Sequence, residues 1–262
     1  MVTVVPIGPP ADELPGSVPA DAPGVALSLS RVSWREPADQ GMSSVRGVSL
    51  YVPPGQSLAL HSEPVGDSTE LLDVIAGLRR PLSGQVTVDG VDVDMLSSQA
   101  LDRYRLGLGL LSARYPLVPS LSALDNMLAG LLPDGQHGIV TRDRAAQLLA
   151  TTGVTHPAEP AGAVPPEQQW RALIARALRT SPRLILAEDP TPGLDSRGAT
   201  AILDLLMDLQ AQSGFTLLLA VARVVTSSRC ERLVRLAGGG IIEDVLISGD
   251  DPWTRGRIDR IG

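Results

Sequence analysis

The residues best placed to do chemistry lie at positions 61–69, which read H-S-E-P-V-G-D-S-T. They follow a short apolar run and precede a helical apolar pattern. This order of strand, tight loop and helix start is typical of a phosphate-binding loop, which has the pattern G-x-x-x-x-G-K-[ST]. Here His61 stands at the first glycine and Asp67 at the lysine. The nine residues of the predicted loop are His61, Ser62, Glu63, Pro64, Val65, Gly66, Asp67, Ser68 and Thr69.

Several features of this loop oppose phosphate binding. Asp67 and Glu63 bring negative charge to a loop that would have to approach a polyphosphate, and two like charges about 4 Å apart repel by about 1 kcal/mol even in water. Pro64 has no N–H group to donate, and the chain contains no lysine that could replace the missing cation. Ser68 and Thr69 could still contact Mg²⁺ or phosphate, but a capped helix start explains them equally well.

Composition restricts the class of protein. The chain has 262 residues, of which 44% are apolar, so it can bury the core of one large α/β domain or two small ones. A net charge of −7 and an aromatic content of 3% argue against a nucleic-acid partner, which requires a basic face or stacking rings.

The single cysteine, Cys230, cannot form an internal disulfide and is expected to be a buried free thiol. No apolar run is long enough to span a bilayer, and the N-terminus lacks the basic flank of a secretory signal.

The elements that would position the loop alternate between strands and helices. An alternating strand begins at Ala26, and the apolar runs at 183–187 and 216–221 indicate buried strands of a parallel sheet. Helical patterns dominate between about Leu96 and Leu178, so we predict an α/β fold with an N-terminal antiparallel β part. The predicted divisions are a flexible leader over 1–25, a domain over 26–248 with a helical subdomain at about 113–167, and a tail over 249–262.

The chain resembles the ATP-binding subunit of an ABC transporter, most closely the type that serves macrolide-export and lipoprotein-release permeases. The resemblance rests on D-S-T-E-L-L-D-V-I-A-G-L-R-R-P-L-S-G from Asp67, E-Q-Q-W-R-A-L-I-A-R-A-L from Glu167 and L-I-L-A-E-D-P-T-P-G-L-D-S from Leu184. It covers roughly residues 26–245 and implies the P-loop NTPase-like fold of an ABC nucleotide-binding domain. It also implies an ATPase that works as a dimer, with each ATP held between one subunit's phosphate loop and the other subunit's LSGGQ signature.

The acidic residues that such a subunit uses are present in reversed order. The family has an apolar strand that ends in Asp, which supports Mg²⁺, and then Glu, which orients or deprotonates the attacking water. Here the order is Glu188 and then Asp189, so each carboxylate is displaced by one methylene from its role. Weak Mg²⁺ binding at Ser68 and Glu188 is compatible with this order, whereas efficient hydrolysis is not expected.

The other nucleotide contacts of the family are also altered. The switch histidine aligns with Ala222, and the expected glutamine falls at Ser112 or Ala113. Trp34 is a candidate for stacking on adenine, although a core or surface tryptophan explains it at least as well. The signature aligns with Ala163, Val164, Pro165, Pro166 and Glu167, which lack the serine hydroxyl and the glycine amides. The dimer-contact loop is intact and consists of Gly193, Leu194, Asp195 and Ser196.

Altered motifs within a retained apolar framework favour a pseudo-ATPase, a subunit with no expected cofactor and at most weak ATP or Mg²⁺ binding. The expected partners are a membrane permease, docked through about residues 114–126, and a second nucleotide-binding subunit, identical or different. The expected location is the cytoplasmic face of the cell membrane. Two alternatives remain. One is a slow but genuine ATPase that uses Glu188 and Asp189, and the other is a soluble partner-binding module without a transport role.

Overall fold

The computed structural model describes residues 23–34, 46–63, 66–129, 140–222 and 224–247. The strands are β1 (Leu27–Ser33), β2 (Val48–Val52), β3 (Ser57–Glu63), β4 (Ser83–Val88), β5 (Val91–Asp92), β6 (Leu108–Leu111), β7 (Leu184–Glu188), β8 (Thr216–Val221), β9 (Arg232–Ala237) and β10 (Gly240–Leu246). The helices are α1 (Gly66–Ile75), α2 (Ser98–Leu106), α3 (Ala123–Leu128), α4 (Arg142–Thr151), α5 (Pro166–Leu178) and α6 (Ser196–Ser213). Short 3-10 helices lie at Ala161–Ala163 and Val224–Arg229.

A six-stranded sheet of order β10-β9-β3-β8-β7-β6 forms the centre of the fold. The strands from β9 to β6 in this order are parallel, and β10 pairs antiparallel with β9 at one edge. Side chains of β8 alternate between two cores, with Leu217 and Leu219 in one and Leu218 and Ala220 in the other. Because both faces are buried, these strands consist of nearly continuous apolar residues, as the sequence predicted.

Two layers cover this sheet. The antiparallel sheet β2-β1-β4-β5 and α1 pack on one face, while α5 and α6 pack on the other. Helices α3 and α4 contact each other and α5, and together they form a helical part beside the parallel sheet. The predicted α/β fold, with an N-terminal antiparallel part and a helical insertion, is confirmed.

Short polar residues mark the starts of four helices. The side chains of Ser97, Ser122, Thr141 and Asp195 each accept a hydrogen bond from the backbone N–H three residues later, which satisfies a helix donor that has no partner within the helix. Helix α6 ends at Gly214, whose φ of 67° lies in the left-handed region that favours glycine. At 18 residues α6 is the longest described helix, and none of the described helices is both long and apolar enough to cross a membrane.

The predicted leader and tail lie almost entirely outside the described residues. At the end of the leader, Val25 is buried and its N–H donates to Oγ1 of Thr216 over 3.1 Å. The Thr216 hydroxyl in turn donates to the carbonyl of Val25 over 2.7 Å. These two hydrogen bonds attach the chain at Val25 to the start of β8, so the packed part of the protein already includes this residue.

A buried ion pair lies within the β9–β10 hairpin, and its arginine also contacts β2 of the antiparallel sheet. Arg232 forms a bidentate pair with Asp244, with two N–O distances of 2.6 Å. Its Nη1 also donates to the carbonyl of Tyr51 over 2.7 Å. The two charged side chains are 5% and 18% exposed, so removal of one charge leaves the other largely shielded from water.

We expect Arg232→Ala to lower the free energy of unfolding by about 3 kcal/mol, because Asp244 keeps its charge without its partner. Asp102→Ala is the matched control, since it breaks a 3.4 Å pair with Arg105 in which Asp102 is 63% exposed. That substitution should cost less than about 1 kcal/mol. Urea unfolding of the two variants measures both values. Equal losses would contradict a special role for the buried pair.

Cys230 is a buried free thiol, as the sequence predicted. Burial, with a smaller contribution from the charge of Glu231, raises its pKa to about 12. Because the thiolate is the reactive form, we expect no labelling by an aromatic disulfide reagent in the folded protein near neutral pH and full labelling in urea. The absorbance of the released thiolate measures this reaction. Rapid labelling of the folded protein would contradict the buried position.

Candidate functional site

The predicted site residues meet at the carboxyl edge of the parallel sheet. Strands β3, β7 and β8 end at Glu63, Glu188 and Val221, and α1 begins at Gly66 beside them. The carboxyl ends of parallel strands lie at one edge of a sheet, where open α/β folds form their ligand sites. Segments that are far apart in the chain are therefore neighbours here.

The connection between β3 and α1 is shorter than the sequence predicted. β3 continues beyond Leu60 as far as Glu63, because residues 61–63 pair in parallel register with β9. Helix α1 begins at Gly66, so only Pro64 and Val65 separate the two elements, and these two residues lie outside the described part of the chain. A phosphate cradle is made from successive backbone N–H groups of a loop, and strand pairing removes His61, Ser62 and Glu63 from that loop.

Polar groups at the start of α1 are satisfied by the chain itself. The backbone N–H of Ser68 donates to Oγ of Ser62 over 2.9 Å, and the two hydroxyl groups lie 3.0 Å apart in a hydrogen bond. Both serines are fully buried. The N–H groups of a first helical turn are those that a bound phosphate would use, and at Ser68 a serine hydroxyl takes this place.

The charges in this segment are acidic or neutral. Asp67 is 1% exposed in the first turn of α1, where the positive end of the helix dipole favours a carboxylate. Burial and the nearby Arg235 lower the pKa of His61, with Glu63 acting in the opposite direction, so the imidazole is neutral at physiological pH. Glu63 lies 3.9 Å from Arg235. Among the described residues of the predicted loop, none carries a positive charge.

An arginine occupies the place beside Glu188. Nη1 and Nη2 of Arg114 donate to the two carboxylate oxygens of Asp73 over 2.9 and 2.8 Å, and Nη2 also contacts Oε1 of Glu188. The hydroxyl of Ser112 donates to Oε2 of Glu188. Hydrogen bonds to Asp73 and then to Glu188, opposed by burial, raise the pKa of Arg114 further above its usual range, so the guanidinium is permanently charged. Both oxygens of Glu188 therefore have partners within the chain.

Asp189 is also engaged by its own chain. Its Oδ1 accepts hydrogen bonds from the backbone N–H and the hydroxyl of Thr191, over 2.9 and 2.5 Å. Its Oδ2 lies 3.4 Å from the N–H of Ala222, the residue that aligns with the family's switch histidine. A carboxylate bound to the turn that follows it is oriented toward the protein backbone, and this limits its use as a base for a water molecule.

The segment aligned with the signature begins α5 without a polar cap. Pro165 precedes the helix and Pro166 is its first residue, and neither has an N–H group. Oε1 of Glu167 accepts hydrogen bonds from Nε and Nη2 of Arg171, over 3.0 and 2.9 Å. Val164 offers its carbonyl to the side-chain amide of Gln169 over 3.0 Å. This helix start presents fewer N–H groups to an anion than a glycine-rich start would.

The dimer-contact loop keeps an ordered geometry next to this helix. Gly193 has φ of 81°, which a side chain would disfavour, and Asp195 accepts a hydrogen bond from the N–H of Gly198 over 2.7 Å at the start of α6. The indole N–H of Trp170 in α5 points to the carbonyl of Pro192 at 3.5 Å. The structure thus brings the signature helix and the dimer-contact loop together.

Trp34 lies in the core on the side of the antiparallel sheet. It is 2% exposed and belongs to the same cluster as the apolar side chains of β1, β2 and β4. Its ring is not open to stack on an adenine in this structure. Of the two interpretations that the sequence allowed, a core tryptophan agrees with this burial.

Two residues of the site could not be identified from the sequence. Asp73 lies within α1 and Arg114 lies in the segment after β6, and their contact spans 41 positions. The sequence placed Arg114 only at the start of a docking segment. The available signal was indirect, because a chain without lysine must use arginine for every permanent side-chain cation, and Arg114 follows closely after the position of the missing glutamine.

We expect Asp195→Ala to lower the free energy of unfolding by about 1 kcal/mol, because the first turn of α6 loses its side-chain acceptor. Asp195→Asn keeps an oxygen at the same place and should cost only a fraction of this value. Urea unfolding at constant pH distinguishes the two variants. If alanine and asparagine were equally tolerated, Asp195 would not act as the helix cap.

Similarity to known proteins agrees with the fold. A sequence profile described as ABC transporter matches residues 45–192. The chain is 31% identical over 223 residues to the lipoprotein-releasing system ATP-binding protein LolD 1 of Rhodopirellula baltica, covering 82% of this chain and 96% of that protein. It is 31% identical over 212 residues to the methionine import ATP-binding protein MetN of Photorhabdus laumondii, covering 80% of this chain and 62% of that protein.

Two further matches extend this comparison. The macrolide export ATP-binding/permease protein MacB of Rhodopseudomonas palustris is 31% identical over 210 residues, but the chain spans only 32% of its length. A dimeric ATP-binding cassette solved in a post-hydrolysis state with ADP and Pi has a TM-score of 0.71 and 25% identity, over 85% of this chain and 99% of that one. The resemblance read from the three sequence segments is therefore confirmed, and the chain belongs to the ABC transporter family as an ATP-binding domain.

Proposed function

We propose that this chain is a degenerate nucleotide-binding subunit of an ABC transporter complex, a pseudo-ATPase that acts as a structural or regulatory partner of a membrane permease. One observation carries the proposal. The guanidinium of Arg114 lies against Glu188, at the carboxylate where the family resemblance places Mg²⁺. A permanent cation of the chain itself thus stands where an exchangeable metal ion would be needed.

A magnesium–nucleotide complex does not fit the side chains present. Mg²⁺ requires oxygen ligands with near-ideal octahedral geometry and keeps several of its waters. The oxygens of Glu188 are engaged by Arg114 and Ser112, and those of Asp189 face Thr191 and Ala222. Binding of the metal would require at least the first of these contacts to break.

The phosphates of a nucleotide would also meet unfavourable charge. The start of α1 carries Asp67, and the strand ends carry Glu63, Glu188 and Asp189. Two described arginines lie in this part of the site, Arg114 and Arg235, and both already pair with carboxylates of the chain. Two like charges about 4 Å apart repel by about 4 kcal/mol at an effective dielectric of about 20. The chain has no lysine to offset this repulsion.

The proposed partners are a permease and a second nucleotide-binding subunit. A relative named as an ATP-binding/permease protein carries both functions in one chain, and a matched cassette was solved as a dimer. In this chain the loop Gly193, Asp195 and Ser196 is exposed, which leaves it accessible to a second subunit. The proposed location that follows from a permease partner is the cytoplasmic face of the membrane.

We expect isothermal titration calorimetry with MgATP to give no binding in the micromolar range, because the site lacks a phosphate-binding cation and its acidic ligands are engaged. An intact ABC cassette measured in the same buffer is the positive control. Steady ATP turnover that disappears in Asp189→Asn would instead favour the slow genuine ATPase. Micromolar binding of MgATP would contradict the pseudo-ATPase.

A further inference from the structure

We infer that Arg114 does more than replace the metal: it acts as an internal clamp that holds the segment from residue 112 to residue 126 in one arrangement, independent of any nucleotide. This inference rests on the proposed function, because residues 114–126 of that segment are the surface expected to dock on the permease. The family resemblance places a glutamine at Ser112 or Ala113, directly before Arg114. In this chain a permanent ion pair of Arg114 lies at this position.

The clamp joins three elements of the parallel-sheet domain. Asp73 lies in α1, Glu188 ends β7, and Arg114 follows β6, so its guanidinium bridges a helix and a neighbouring strand. Asp73 and Glu188 are 20% and 16% exposed, so water screens the contacts only partly. Two charge-assisted hydrogen bonds to one carboxylate fix the direction of the guanidinium as well as its distance.

Ser112 holds the first residues of the segment. Its hydroxyl donates to Glu188 and also accepts the backbone N–H of Arg114 over 3.0 Å. The backbone of the segment is therefore attached to the same carboxylate that the Arg114 side chain contacts. Glu188 thus receives two contacts from positions that are only two residues apart in the chain.

The helical part contacts the segment both next to Arg114 and at its other end. The buried side chain of Asn126 accepts the N–H of Val118 over 2.7 Å and donates to the carbonyls of Val118, Leu121 and Ser122. Arg176 of α5 donates to the carbonyls of Tyr115 and Pro116. The segment therefore connects the sheet to the helical part through side-chain contacts at both ends, all of them made within the chain.

One physical consequence follows for the docking surface. A segment that is ordered by nucleotide must lose that order when the nucleotide leaves, whereas a segment ordered by a covalently attached cation does not. The surface around Tyr115 and Val118, which are 41% and 47% exposed, is then presented to a partner in a constant shape. A permease bound there would keep a fixed position and would not be moved by changes at the nucleotide site.

Hydrogen exchange measured by mass spectrometry on the full chain tests this clamp. In the unmodified protein, we expect slow exchange in peptides that cover residues 112–122 and the same rates with and without millimolar MgATP. In Arg114→Gln, these amides should exchange about tenfold faster, because the ion pair no longer opposes local opening. Glu188→Gln and Asp73→Asn should each give a smaller acceleration, since one of the two carboxylates remains.

Arg103→Gln is the matched control, because it removes one exposed arginine from α2, the helix before β6. It should leave the exchange of residues 112–122 unchanged, and peptides from α6 should be unchanged in every folded variant. If Arg114→Gln does not fold, Arg114→Lys takes its place, with an intermediate acceleration expected because an ammonium lacks the planar fork.

Two results would overturn the inference. Unchanged exchange in the Arg114 variants would show that the ion pair does not hold the segment. A change of exchange on addition of MgATP to the unmodified protein would show that the segment still responds to nucleotide. The calorimetric test of the proposed function is separate, since micromolar MgATP binding without a change of exchange would contradict the pseudo-ATPase and leave the clamp standing.

Discussion

Leu58, Ala59 and Leu60 in β3 point alternately into two separate cores, and the side chains of β7 and β8 do the same. Burial of both faces is the constraint on which the other features of the structure depend. A strand in such a sheet has no solvent-facing side, so polar groups reach water mainly where the strands end. It also cannot shift its register, because a shift by one residue would move every side chain to the opposite core. The strand ends are therefore fixed in position, whichever side chains the sequence places there.

At these strand ends, the side chains that would face a ligand form contacts within the chain. Ser62 accepts a hydrogen bond from the N–H of Ser68, and Asp189 accepts one from the N–H of Thr191. Glu188 forms an ion pair with Arg114. Each contact satisfies a group whose burial without a partner would be unfavourable. A vacated ligand site that kept its polar groups without partners would be destabilising. Internal partners explain how the fold can retain its shape around a site with this charge pattern.

The site and the helical part are connected by short polar contacts over a long stretch of sequence. The segment after β6 meets α1 and β7 at Arg114, Arg176 holds the residues next to Arg114, and Asn126 holds the far end. In this arrangement, the electrostatics of the strand ends determine the position of a surface that lies beside them. A change of one charge at the sheet edge would therefore change the position of the surface proposed for the permease.

Local patterns were sufficient for most of the fold. Continuous apolar runs at β7 and β8 indicate strands buried on both faces, and residues 142–152 and 167–179 show the helical periodicity that α4 and α5 confirm. The ABC transporter family could be recognised for a similar reason, because its landmarks are short segments in a fixed order. The predicted phosphate loop was placed correctly between β3 and α1, but its length was not, because the end of β3 depends on pairing with β9, which is distant in sequence.

The sequence by itself determined which chemical groups are available: no lysine in the chain, an aspartate at the start of α1, prolines at the start of α5, and two adjacent carboxylates at the end of β7. These are properties of residue type and order, and folding does not change them. Only the tertiary structure decided which of these groups meet. Arg114 and Glu188 are 74 positions apart in the numbering (188 − 114), and Trp34 is buried by strands from several parts of the chain. Side-chain partners over such separations depend on how layers pack, and sequence spacing carries no information about that.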